Sequence, residues 1–339
     1  MKFQHLVLAV AAACGASAQA ADSINLANYS VTGTYALDAF NSTSGGLSGL
    51  EASAVTYARD RGTLFFVGDE GTGMVEVSLT GQTLGSTTFN WSGTGSSKND
   101  TEGLTYLGNG QFVVTEERLQ NGYKFDYVAG STVALGSAAY VSFGPTIGNI
   151  GIEGISYDPR NGSFVTVKQD DPAQLSIYNA LTFSTTAAPD AVASTQFTGP
   201  NSNSSLFGLQ SLSDVQTLAP IDALQGTAAA DNLLVFSLDS RRLIEITRAG
   251  VIKSSLDLSN VLPHNGIEGV TVDQHGTIYL VAEQIQDGSN LLPNPQSQLI
   301  VLSSMAAVPE PETYALMLAG LGCLGLAAVR RHKKAASAA

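Results

Sequence analysis

One short motif recurs along most of this chain and constrains it more than any other feature. An acidic residue stands second in each of five related stretches: Leu50-Glu51-Ala52-Ser53-Ala54-Val55, Thr101-Glu102-Gly103-Leu104-Thr105-Tyr106, Ile152-Glu153-Gly154-Ile155-Ser156-Tyr157, Ser213-Asp214-Val215-Gln216-Thr217-Leu218 and Ile267-Glu268-Gly269-Val270-Thr271-Val272. The acids lie 51, 51, 61 and 54 residues apart. Such a period marks a repeat architecture, in which each unit buries its apolar face against the next.

A second apolar run follows in each unit, at Leu64 to Val67, Phe112 to Thr115, Phe164 to Val167, Leu234 to Ser237 and Ile278 to Val281. Third runs span Gly73 to Ser78, Gly122 to Tyr127, Gln174 to Tyr178, Leu243 to Thr247 and Gln298 to Leu302. Between first and second runs stand turn formers such as Gly108-Asn109-Gly110, Asp158-Pro159-Arg160-Asn161-Gly162 and Asp273-Gln274-His275-Gly276. The alternation has period two rather than 3.6, which argues against a helical solenoid. The expected fold is all-β: a five-bladed β-propeller with four strands per blade, a six-bladed ring being the alternative. The last unit has room for only three strands, so Tyr29 to Leu37 is expected to supply the fourth and close the ring.

The repeat also places its acids. Stepping five positions on from the first large apolar residue of each second run reaches Asp69, Glu117, Gln169, Asp239 and Glu283. The second strand runs antiparallel to the first, so its end lies beside Glu51, Glu102, Glu153, Asp214 and Glu268. The first strand of a propeller blade lines the central channel, and nine carboxylates are therefore expected around one mouth. Crowded carboxylates raise one another's pKa and strain the fold. A hard cation relieves the conflict, and calcium, which takes oxygen ligands, suits this set. The opposing reading makes each acid a backbone cap between blades and its glycine a packing device.

Both ends of the chain read as addresses. Residues 1–20 hold Lys2, an apolar run and Ala18-Gln19-Ala20, the small-x-small pattern after which signal peptidase cuts. Near the other end an apolar stretch from Tyr314 to Val329 precedes Arg330-Arg331-His332-Lys333-Lys334. It is expected to span the inner membrane with its basic cluster inside, so that the body faces the periplasm. The expected division is 1–20 signal peptide, 21–307 propeller and 308–339 sorting segment. Residues 21–308 carry 27 acidic and 11 basic side chains and no cysteine, since Cys14 and Cys323 lie in the end segments. A net charge of -16 argues against nucleic acid as a partner, and the body must hold together without disulfides.

Two resemblances add to this. Val308-Pro309-Glu310-Pro311-Glu312-Thr313, the apolar stretch and the basic cluster together resemble the PEP-CTERM sorting signal. That implies recognition by an exosortase-type processing enzyme through Pro309, Glu310 and Pro311, and final placement at the cell surface or outside the cell. Asp100-Thr101-Glu102-Gly103-Leu104, Glu116-Glu117-Arg118, Gly151-Ile152-Glu153-Gly154-Ile155, Asp239-Ser240-Arg241-Arg242-Leu243 and Gly266-Ile267-Glu268-Gly269-Val270 resemble the SdiA-regulated family. The resemblance implies a five-bladed propeller with bound calcium. It makes Glu102, Glu153 and Glu268 the metal-facing acids, with Glu117 and Glu283 as neighbours. Two blades depart from the family: Glu51-Ala52 stands where Ser-Gly is commoner, and Lys168-Gln169 replaces an acidic pair.

Other chemistry is sparse. The body has only His264 and His275 and no Gly-x-Ser-x-Gly pattern, which leaves a Ser-His-Asp hydrolase without support. Two function classes stay open. One is a calcium-binding module or scaffold with a polysaccharide or protein partner. The other is a metal-dependent hydrolase in which Arg118, Lys168 and Arg241 or Arg242 would hold an anionic substrate.

Overall fold

In four of the five blades a glycine in the left-handed region turns the first strand back into the second: Gly62 (φ 66°), Gly110 (77°), Gly162 (76°) and Gly276 (84°). Repeated along the chain, such hairpins give antiparallel meanders. The computed structural model describes residues 21–37, 51–200, 205–285 and 296–305. In it the chain forms the five blades of a propeller. Blade 1 comprises Ala52–Ala58, Thr63–Gly68, Gly73–Val77 and Thr83–Asn90. Blade 2 comprises Thr101–Gly108, Gln111–Glu116, Asn121–Asp126 and Ala139–Ser142, and blade 3 Ile152–Asp158, Ser163–Lys168, Gln174–Tyr178 and Thr195–Thr198. Blade 4 comprises Asp214–Thr217, Leu233–Ser237, Arg242–Ile246 and Ile252–Asp257. Blade 5 takes Asn265–Val272, Ile278–Ile285 and Gln298–Ser304, and its outer strand is Tyr29–Ala36 from the other end of the chain. Tyr29 pairs with Ser304 and Ala36 with Gln298, so the ring closes as the sequence predicts. The short strand Thr132–Ala134 lies parallel against the outer edge of blade 1 and covers it.

Apolar faces of neighbouring blades bury one another. Between blades 1 and 2 the contact is largely aromatic: Phe65 and Phe112 are 4.6 Å apart, and Trp91 meets Tyr123 edge-on at 5.8 Å. Around the axis the inner strands are stitched by a girdle of polar side chains, three residues beyond the bulges described below. Thr56 accepts the N–H of Tyr106 (3.1 Å), Thr105 that of Tyr157 (3.0 Å), Ser156 that of Thr217 (3.0 Å) and Thr271 that of Tyr57 (3.1 Å). Thr271 also donates to Gln216 Oε1 at 3.0 Å, which joins blades 4 and 5.

Residues before the closing strand are anchored too. The Glu245 carboxylate, fully buried, accepts from Ser23 Oγ, Ile24 N–H, Asn232 Nδ2 and Ser254 Oγ. Glu245→Gln turns one acceptor into a donor facing donors and is expected to cost about 1–2 kcal/mol. Urea unfolding checks the cost, and limited proteolysis should find the 21–28 segment newly accessible.

The sorting motif at Pro309, Glu310 and Pro311, the apolar stretch beyond it, and Ala18 and Ala20 lie outside the described residues. Among the described residues, no helix is long and apolar enough to cross a membrane.

Candidate functional site

In four blades the first strand carries a β-bulge near its start, and the bulge aims one side chain at the axis. The ladder skips a residue between Ala52 and Ala54, Thr101 and Gly103, Ile152 and Gly154, and Ile267 and Gly269. The skipped residues are Ser53, Glu102, Glu153 and Glu268. A bulge re-aims its extra residue and bends the strand. The small residue that follows lets the next blade approach: a Cβ on Gly154 would sit 2.7 Å from Asp214 Cα, and one on Gly269 would sit 2.8 Å from Ser53 O. The Glu-Gly pair thus combines a turned acid with a close inter-blade contact.

This register revises the alignment of the repeats. In blade 1 the bulged residue is Ser53, not Glu51. Glu51 O accepts the N–H of Asp69, as Asp100 O accepts that of Glu117, so Glu51 corresponds to Asp100. In blade 4, counting back three residues from Gln216 in the girdle reaches Ser213, and Asp214 takes the place that glycine holds elsewhere. The five channel-facing positions are therefore Ser53, Glu102, Glu153, Ser213 and Glu268. Asp214 is a blade-spanning cap, with Oδ1 accepting Val215 N–H and Oδ2 accepting Val270 N–H, both at 2.7 Å. Asp239 stands in the turn between the second and third strands of blade 4 and is exposed. Asp214→Asn is expected to cost about 2 kcal/mol, because an amide cannot accept both N–H groups. Urea unfolding of the variant beside the parent measures the loss.

The remaining seven predicted acids come together with one that the sequence reading left out. Asp69, Asp100 and Glu102 bring ligand oxygens within 4.8 Å of one another. Glu102 interacts electrostatically with Glu153, Glu268, Asp100 and Asp69, and Glu268 with Glu283, Asp69 and Glu51. Burial, followed by these neighbours, pushes Glu102, Glu153 and Glu268 well above the usual carboxylate range. Burial, reinforced by Glu51, raises Asp69 to about 9. Glu117 is raised to about 7, chiefly by burial and against the Gly151 N–H that it accepts, and Glu283 to about 7 by burial and Glu51. Two oxygens in this mouth, Asp69 Oδ1 and Glu117 Oε2, are buried with no hydrogen-bond partner among the described residues.

Of the cationic side chains proposed for an anionic substrate, Arg242 is exposed and the other three are occupied otherwise. Arg118 Nε donates to Asp100 Oδ2 at 2.6 Å and its Nη2 to Asn149. Lys168 binds the carbonyls of Asp170 and Pro172, and Arg241 those of Val261, Leu262 and Asn265. Burial lowers the pKa of both Lys168 and Arg241.

Fold and site together define a five-bladed propeller with one mouth of its channel ringed by carboxylates. The profile of the SdiA-regulated family matches residues 34–284, and the chain belongs to that family. The PEP-CTERM protein-sorting motif matches residues 307–331 and implies export with membrane-anchored sorting by an exosortase-type system. Among solved structures, the glutaminyl cyclase of Myxococcus xanthus is similar at 12% identity and a TM-score of 0.49, over 81% of this chain and 95% of that one. A luciferin-regenerating enzyme is similar at 10% identity and 0.44, over 76% and 92%. Hydrazine synthase of Kuenenia stuttgartiensis is similar at 12% and 0.38, over 73% and 58%. Likeness at this level bears on neither activity nor ligand.

Proposed function

We propose that this protein is an exported calcium-binding propeller that acts as a binding or scaffold module, placed first in the periplasm and then at the cell surface or in the exopolysaccharide matrix. The observation that carries the cation is the pair of buried oxygens on Asp69 and Glu117 that have no hydrogen-bond partner among the described residues, set among further carboxylates of which Arg118 pairs only with Asp100. Burying such groups unpaired is costly. An all-oxygen donor set without thiol or imidazole fits calcium and disfavours zinc. Asp69, Asp100 and Glu102 would hold the ion, with Glu117, Glu153, Glu268 and Glu283 around them. A bound divalent cation would supply positive charge that lets these acids ionise together. The engagement of Arg118, Lys168 and Arg241 with carbonyls and carboxylates supports a binding role over hydrolysis of an anionic ester.

The test is thermal unfolding of the purified protein after EDTA, with calcium titrated back and magnesium in parallel. A ligand at 100 times its Kd adds about 2.7 kcal/mol. A saturable, calcium-selective rise in Tm is the expected result; a flat response to both ions would remove the cation and return the ring to a purely structural role.

A further inference from the structure

The far end of the channel holds a second feature that no carboxylate ring explains. All five inner strands run from the acidic mouth, and where they end they enclose a cavity of about 420 Å³. That is within the roughly 300–1,000 Å³ of small-molecule sites. Its walls include Tyr57, Tyr106 and Tyr157, which occupy the same strand position in three consecutive blades, each directly after the girdle residue.

Two of these rings are held by neighbours. Tyr106 Oη donates to Asp60 Oδ2 and accepts Gly110 N–H, both at 2.8 Å, and its ring centroid lies 4.8 Å from that of Phe112. The Tyr157 ring lies 4.9 Å from that of Phe164. Thr56 and Thr105 also line the cavity and are 5% and 4% exposed. Each hydroxyl oxygen accepts a backbone N–H from the next blade, and its proton has no acceptor among the described residues. Two buried donors therefore face a cavity whose sides are aromatic.

Charge narrows the ligand. Arg59 at the rim is paired in bidentate fashion with Asp222, at 2.8 and 3.0 Å. Asp60, exposed beside Tyr106, has one oxygen engaged by that phenol and its other oxygen bound by no donor among the described residues. A rim carboxylate on a body of net charge -16 repels anions. The set of groups is one that suits a ring with apolar C–H faces and hydroxyl edges: tyrosine walls for the faces, Thr56 and Thr105 as donors, Asp60 as acceptor. We infer that this cavity binds a neutral pyranose unit, at the mouth opposite the carboxylates.

Saturation-transfer NMR on the purified protein tests this with glucose, galactose, N-acetylglucosamine, cellobiose and lactose as probes and glucuronate as the anionic comparison. Transfer to the ring C–H protons of at least one neutral sugar is expected, with glucuronate at least about tenfold weaker. Tyr106→Ala and, separately, Asp60→Ala should each weaken that sugar by about tenfold. Asp60 is exposed, so its variant carries the test if Tyr106→Ala melts early. Absence of transfer from every neutral probe, equal binding of glucuronate, or binding that survives both substitutions would each overturn the assignment.

Discussion

Stripped of divalent cations, the protein should lose stability as pH rises from about 5 to about 8, by several kcal/mol. The groups responsible are Glu117 and Glu283, raised to about 7, and Asp69, raised to about 9, in each case first by burial. Each binds its proton more tightly in the native than in the unfolded chain. Between the unfolded pKa near 4 and the folded one, the native state holds more protons, and stability falls with pH. Below the unfolded value the contribution is fully present; above the folded one it is gone. If calcium binds the mouth as proposed, it competes with those protons, and in its presence the slope should flatten or reverse. Urea unfolding at a series of pH values, in EDTA and in calcium, measures both slopes. A metal-free stability that stays level or climbs through this window would show that the mouth is not charge-strained.

The second large effect is a crossing. Glu102→Gln removes one charge from the crowded mouth and one ligand oxygen from the cluster. At pH 8 the EDTA-treated variant should be more stable than the parent by about 1–2 kcal/mol. With calcium saturating the parent it should be less stable, by on the order of 2 kcal/mol. Asp239→Asn, at the exposed turn of blade 4, should change neither value. If Glu102→Gln loses the same stability in EDTA as in calcium, the acid is acting as a packing element and the cation reading fails.

The number of blades and the ring closure were legible because the features that set them are local. Period-two runs recur in every blade, hairpin glycines in four and the Glu-Gly pair in three. The site was legible only in part, since a bulge displaces register by one residue without a mark in the hydrophobic pattern. Thus Glu51 aligns with Glu102 by spacing, although Ser53 holds that place in the ladder. Asp214 falls on a glycine position, where its carboxylate can reach two backbone N–H groups. Asp100 was missed although it stands two residues before Glu102, as Glu51 does before Ser53. The opposite mouth had a signal that went unread: the doublets Thr56-Tyr57, Thr105-Tyr106 and Ser156-Tyr157 recur with the repeat, and their common distance from the bulge places them at one end of the channel.

Ring closure has a mechanical consequence. The strand Gln298–Ser304 is not at the edge of its blade; Ile278–Ile285 flanks it on one side and Tyr29–Ala36 on the other. The hydrogen bonding reaches to Met305, whose N–H is bound by Asn28 O at 2.8 Å, and the sorting motif matches from residue 307. A pull on the tail therefore loads two ladders along their length, so that their hydrogen bonds must break together rather than one after another. A cut beyond residue 307 would free the body from its tether without removing any of those bonds.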